Sequence, residues 1–216
     1  MKSRLNKKVI SLLSDGFDSP VAAYLMMKQG FLPVFLTFLT TVQEEADMRE
    51  KIGNVLNKLS KFSQTELKAY LIPYTSNLEI FKNRCSRKLT CILCKRMMLR
   101  VACQIADKET TRLILTGDIL GEQASQTLSN LYSYNAILKN YIKLMPLIGL
   151  NKMDVININK SIGLYSISSN KINSCQYYPQ YPETNVKKKE IKRAENKINL
   201  SQILENTLKS AQILKF

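Results

Sequence analysis

The chain contains no histidine and no tryptophan. Without histidine there is no His-based catalytic triad, no imidazole general base and no His-ligated zinc, so any metal must be held by cysteine or oxygen ligands. No apolar run approaches the roughly 18 residues needed to cross a bilayer. The basic stretch Met1–Lys8 leads into only five apolar residues, too few for the core of a signal peptide. A cytoplasmic protein without membrane contact is expected. Acidic residues are scarce: 17 Asp+Glu stand against 32 Lys+Arg, a formal charge of +15. Such a surplus suits a polyanionic partner, since each phosphate neutralised releases counterions. A Lys-, Asn- and Ile-rich composition is the plainer source of the same charge.

The 216 residues suit one domain, 1–216, that buries its own core. Val9–Leu13, Leu32–Leu39, Ala69–Ile72 and Arg112–Thr116 read as short buried strands. Pro20–Gln29, Glu44–Phe62 and Ile92–Asp107 carry helical patterns between them, with Gly30 placed to end the first helix. This alternation predicts βαβ units, hence an α/β fold with a parallel sheet covered on both faces. Ligands of such sheets bind at the carboxyl ends of the strands. Beyond Pro146, Asn151 should cap a helix that Gly163 ends, and Asn173–Pro182 reads as a Tyr/Pro-rich loop. Residues 183–216 should form a helical, basic C-terminal segment.

Ser14-Asp15-Gly16-Phe17-Asp18-Ser19 lies between the first strand and the first helix. Backbone N–H groups of the turn and the helix N-terminus make this an anion site. Ser14 and Ser19 add hydroxyls, Gly16 admits a phosphate, and Asp18 stands where a carboxylate could hold Mg²⁺ or cap the helix. No Lys-Ser/Thr follows the glycine, so it is not a Walker loop.

The five cysteines are Cys85, Cys91, Cys94, Cys103 and Cys175. Cys91 and Cys94 form a C-x-x-C at a helix start, on one face; the odd total argues for thiol chemistry or metal rather than a disulfide framework. Cys103 falls about half a turn from Cys94 and is assigned to the core.

Residues Leu12–Lys28 resemble the PP-loop of the ThiI family of tRNA 4-thiouridine synthetases, whose pattern is Ser-Gly-Gly-x-Asp-Ser-Pro. Asp15 occupies the first glycine position; Asp is expected to tolerate the positive φ of that turn. Three further segments resemble the family in order: Cys94–Arg100, Thr116–Leu131 and Pro146–Leu150, followed by Cys175 and Pro182-Glu183. In the second of these, Ile119, Glu122 and Gln123 depart from the family's Ser, Gln and Val. The resemblance implies a three-layer PP-loop (adenine nucleotide α-hydrolase-like) ATP pyrophosphatase. It would adenylate a tRNA uridine carbonyl and replace the oxygen with sulfur, Asp18, Cys94 and Cys175 being catalytic. It further implies that ATP is held by Ser14, Asp15, Gly16, Phe17, Asp18, Ser19, Thr37, Arg96, Gly117 and Gln126. Ser125 and Thr127 offer further donors or cap the next helix. Lys95, Arg100, Lys187 and Lys188 are the candidate RNA contacts.

For the thiols, the archaeal branch of the resemblance implies an iron–sulfur cluster (4Fe-4S or 3Fe-4S) on Cys91, Cys94 and Cys175. A persulfide relay between Cys175 and Cys94, and zinc or structural thiols, are the alternatives. The family's ferredoxin-like and THUMP regions have no counterpart in this sequence, so a separate THUMP-type tRNA-binding protein is an expected partner. A sulfur donor (sulfide or a cysteine desulfurase) and a homodimer are expected too. Other readings are a sulfurtransferase for a different RNA base or small molecule, and an inactive RNA- or cluster-binding module.

Overall fold

The computed structural model describes residues 7–43, 45–170, 172 and 175–216. Its chain order is β1 (Lys8–Leu12), α1 (Asp18–Lys28), β2 (Leu32–Leu39), α2 (Glu45–Ser60), β3 (Lys68–Pro73), α3 (Thr75–Arg84), α4 (Thr90–Lys108), β4 (Leu113–Leu115), α5 (Leu128–Ser133), β5 (Ile142–Leu144), α6 (Lys152–Ser161), α7 (Tyr165–Ser169), α8 (Lys188–Glu195), α9 (Leu200–Lys209) and β6 (Gln212–Lys215).

The strands form one sheet in the order β5-β4-β1-β2-β3-β6. All neighbouring pairs are parallel except β3 with β6, where Ala69 faces Leu214. The period-2 alternation of β2 shows how both faces are covered. Val34, Leu36 and Phe38 join a core with Met97, Ala102 and Ile203 of α4 and α9. Phe35, on the opposite face, packs with Val21, Ile52, Val55 and Val155 of α1, α2 and α6. The fold is therefore the expected three-layer α/β arrangement, with one antiparallel edge.

Several helix ends follow from local chemistry. Gly30 adopts φ +78°, and the N–H groups of Gly30 and Phe31 turn back to Met27 and Met26, closing α1. Asn151 accepts the Asp154 N–H at 2.9 Å as the cap of α6, and Gly163 ends that helix at φ +71°. Thr127 caps α5 by accepting from the Asn130 N–H, so capping is its local role.

One expectation needs correction, and two elements escaped the sequence pattern. The segment 183–216 is not helical throughout: β6 inserts its last residues beside β3. The strand β5 and the helix α3 were not visible in the pattern. Three residues in β5, and apolar positions in α3 at Leu78, Ile80 and Phe81, are too few to establish a period. Glu44, the expected start of the second helix, and Asn173, the expected start of the Tyr/Pro-rich loop, lie outside the described residues. Among the described residues no helix is long and apolar enough to cross a membrane.

Candidate active site

The chain leaves β1 towards β2 and β3 on one side, and returns on the other side with β4 and β5. The strand order therefore reverses between β1 and β4, and a crevice opens beyond their carboxyl ends. A cavity of about 330 Å³ occupies it, lined by Ser14, Asp15, Asp18, Ser19, Lys95, Thr116, Gly117, Asp118, Gln123 and Gln126, with Phe38, Met48 and Met98 as apolar wall.

The β1–α1 turn is held by its two serines. The Ser14 N–H donates to Ser19 Oγ at 2.8 Å, and the two hydroxyls lie 3.0 Å apart. Neither Asp15 nor Gly16 has positive φ. The expected left-handed turn is thus corrected, and an aspartate fits there without backbone strain. The opposing loop is pressed onto this one at Gly117. A Cβ added there would lie 2.7 Å from the Ser19 backbone nitrogen, so only glycine lets the β4 loop touch the start of α1.

Every carboxylate at the crevice meets a lysine. Lys152 Nζ lies 2.7 and 2.9 Å from the two Asp18 oxygens and 3.5 Å from Glu122. Lys51, itself buried, reaches Asp15 at 3.5 Å and the carbonyls of Ser168 and Asn170. Asp15 is thus matched by its own lysine, whereas Glu122 shares Lys152 with Asp18, so these three side chains keep one net negative charge beside the phosphate turn. Asp118 is fully buried. It accepts from Lys95 at 2.8 Å, Thr116 Oγ1 at 2.7 Å and Gln126 Nε2 at 3.3 Å, and pairs with Lys143 at 2.6 Å. Burial alone would raise its pKa, but the two ammonium groups hold it well below the usual carboxylate range. Gln126 Oε1 is buried and unpartnered, an acceptor left over beside the cavity.

The thiols lie on the α4 side. Cys91 and Cys94 occupy its first turns, half-buried, while Cys175 is exposed. Burial, and then the charge of Cys175, push the Cys91 thiol up to about 11. Burial pushes Cys94 higher still, with Cys175 and Cys91 adding to it. Cys94 therefore feels both other thiols of the trio, and Cys91 feels Cys175. Such sulfurs stay protonated unless a cation replaces the proton. Cys94 Sγ lies 4.0 Å from Met98 Sδ, and Met98 lines the crevice. Among the described residues, no three Cys, Asp or Glu side chains converge as a single-ion site. A cluster spaces its thiolates over separate irons and makes a looser demand. Cys103 is buried in the core as expected, and burial raises its thiol to about 12.

Not all anticipated residues face the crevice. Thr37 is fully buried and donates to the Leu13 carbonyl at 3.0 Å, tying β2 to the end of β1. Arg96 turns the other way and grips Glu195 at 2.8 Å and the Ser133 carbonyl, docking α8 on α4. Arg100 joins it on Glu195 at 2.9 Å, so neither guanidinium is free for phosphate. These three placements correct the expectation; a cation one position along a helix faces a different neighbour, and sequence alone did not show which. The Phe17 ring stacks near Tyr165 at 5.7 Å, away from the cavity lining. Lys187, which precedes α8, and Lys188, its first residue, are exposed, the latter over the Tyr132 ring. Lys95, expected to meet RNA, lies in the crevice itself. Lys51, Lys143 and Lys152 were missed, since in a chain this rich in lysine no spacing marks a particular one.

Comparison with known proteins agrees with this arrangement. The family model described as Thiamine biosynthesis protein (ThiI) matches residues 5–200. A probable tRNA sulfurtransferase of Methanosarcina mazei is 36% identical over 96% of the chain and 51% of its own length. One from Methanocaldococcus jannaschii is 41% identical over 89% of the chain and 50% of its own. The chain thus spans about half the length of these relatives. A crystal structure of a 4-thiouridine synthetase–RNA complex with bound ATP superposes with a TM-score of 0.89 at 29% identity, covering 97% of this chain and 55% of that one.

Proposed function

The chain belongs to the ThiI family, and from that premise and the crevice geometry we propose that it is the PP-loop catalytic part of an ATP-dependent tRNA sulfurtransferase, forming 4-thiouridine. The observation that carries this reading is the adjacency of the two halves of the chemistry. Cys94 touches Met98, and Met98 lines the same crevice as the Ser14–Ser19 turn.

In this reading ATP lies across the β1–α1 turn, with Ser14, Asp15, Gly16 and Ser19 around its phosphates. Lys95 and Lys152 supply positive charge to the triphosphate, and Asp18 is the carboxylate placed to hold Mg²⁺. The O4 oxygen of a uridine attacks the α-phosphate, and pyrophosphate leaves with its charge stabilised by these lysines. Adenylation makes the uridine oxygen part of AMP, a good leaving group. Sulfur delivered at the Cys91–Cys94–Cys175 side then attacks C4 and expels AMP. Gln126 Oε1 is the free acceptor available to a base N–H. The reading includes tRNA, sulfide or a cysteine desulfurase as sulfur source, a THUMP-type protein for tRNA docking, a cytoplasmic setting, a homodimer and one domain over 1–216.

An iron–sulfur cluster fits the donor set: three thiols, no histidine, and two of them held neutral until a metal displaces their protons. With three thiolates from the protein, a 4Fe-4S cluster would keep one iron open to carry sulfide.

The test is anaerobic purification with iron and sulfide analysis, then ATP- and sulfide-dependent thiolation of tRNA with pyrophosphate measured alongside. Iron-bearing protein that releases pyrophosphate and forms 4-thiouridine is expected, with both iron and product lost in Cys91→Ala. An iron-free protein whose Cys91→Ala variant retains full thiolation would overturn the cluster. Absence of ATP-dependent pyrophosphate release with every RNA tried, with and without a THUMP protein, would overturn the enzyme reading.

A further inference from the structure

Asp118 cannot serve as a base or a metal ligand as it stands, because all four of its recorded partners are donors: Lys95, Lys143, Thr116 and Gln126. Two of them are lysines, and they approach from different elements; burial lowers the pKa of Lys143, and the Asp118 carboxylate opposes that. Lys95 comes from α4 and lines the crevice, where its side chain keeps 20% of its exposure. Lys143 comes from the edge strand β5, whose position 143 pairs with Ile114 of β4. Its ammonium lies 5.7 Å from the Tyr134 ring centroid, and it is not part of the crevice lining. Instead it borders a separate apolar groove with Leu120, Leu138, Tyr141 and Met145.

The charge arithmetic follows from these positions. With Lys95 alone, Asp118 and its lysine would form a neutral pair, and an incoming triphosphate would meet little net field. The second lysine leaves the trio at +1, with the surplus on the side that opens to the crevice. We propose that Lys143 is a positioning residue of the nucleotide site: it neutralises Asp118 from behind, so that the charge of Lys95 remains available to the phosphates of ATP. This rests on the reading of the crevice as an ATP site. It adds a residue that does not itself touch the nucleotide.

The test compares Lys143→Met, Lys143→Gln and Lys143→Arg with the unsubstituted chain in equilibrium titrations with Mg·ATP and, separately, with adenosine. The Met and Gln variants should bind Mg·ATP about tenfold more weakly, from the loss of one unit of charge near the phosphates. Adenosine, which carries no phosphate, should bind them as it binds the unsubstituted chain. The Arg variant should recover most of the ATP affinity, because the groove beside position 143 has room for a guanidinium. A loss shared equally by ATP and adenosine would make Lys143 a packing residue only and overturn the proposal. So would unchanged ATP binding in both neutral variants, or no recovery with arginine. If the unsubstituted chain binds adenosine and ATP at neither site nor strength above background, the ATP reading itself fails first, and that result is distinct from the others. Gln keeps a polar group on Asp118, so the comparison stands even if Met does not fold.

Discussion

The same motif, a carboxylate between two lysines, occurs at both ends of the sheet. At the amino ends of the strands, Glu109 pairs with Lys8 at the start of β1 and Lys68 at the start of β3, and Tyr70 donates to it at 2.6 Å. At the carboxyl ends, Asp118 pairs with Lys95 and Lys143. Both carboxylates are buried, and both are held below their ordinary pKa against the opposing effect of burial, Glu109 at about 2. The surroundings separate them. The lysines on Glu109 are 37% and 35% exposed, so water screens their charge and the cluster serves to close the base of the sheet. Those on Asp118 are 20% and 11% exposed, and one of them faces the switch-point crevice. The same charge arithmetic closes the sheet at one end and, under the proposed function, presents a ligand field at the other, where the loops leave a cavity.

That contrast can be broken by substitution. Asp118→Asn should have the largest effect: the local charge rises, but the two ammonium groups repel and Lys95 loses the anchor that fixes it in the crevice, so ATP-dependent pyrophosphate release should fall about 100-fold. An unchanged rate would remove the functional half of the contrast. Gly117→Ala comes next: the added methyl meets backbone at 2.7–2.8 Å and must part the two loops. Overpacking of this kind costs about 1–3 kcal/mol, so ATP affinity should fall roughly tenfold or more, measured by titration.

Glu109→Gln should do the reverse of Asp118→Asn. Stability should drop by about 1–2 kcal/mol in denaturant titration, a value discounted for the half-open lysines, while ATP affinity stays unchanged. Its pH dependence has a definite sign. Glu109 is depressed in the folded state, so its contribution is present above the ordinary carboxylate value and is lost as pH falls from about 4.5 towards 2. The unsubstituted chain should therefore lose more stability than Glu109→Gln across that acid range. Equal acid profiles would show that the ion cluster contributes nothing at that end. The smallest effect is expected at Arg112, which pairs with Asp107 in the open, at 61% and 44% exposure. Arg112→Ala should change stability by less than about 0.5 kcal/mol and leave ATP binding untouched.

Much of this was legible along the chain. β2 is found at Leu32–Leu39 as expected, because eight apolar and β-branched residues bounded by Gly30 admit no other reading. The phosphate turn and the cysteine pair were legible because their chemistry needs specific residue types at short spacing. β6 was not, since Gln212–Lys215 has no period of its own and forms a strand only because β3 offers an open edge. Thr37 and Arg96 carried the right chemistry and pointed the wrong way. Burial gave one to the Leu13 carbonyl, and Glu195, 99 residues along the chain, took the other.

The sequence by itself determined the alternation of strands and helices, the anion-binding turn and the family. These rest on local pattern, which neighbouring residues enforce through backbone geometry and hydrophobic period. Which lysine meets which carboxylate was decided only by the tertiary structure. Lys152 reaches Asp18 across 134 residues, and Lys143 reaches Asp118 from a three-residue strand. Charge has no period along a chain, and its partners are chosen by the fold that brings them together.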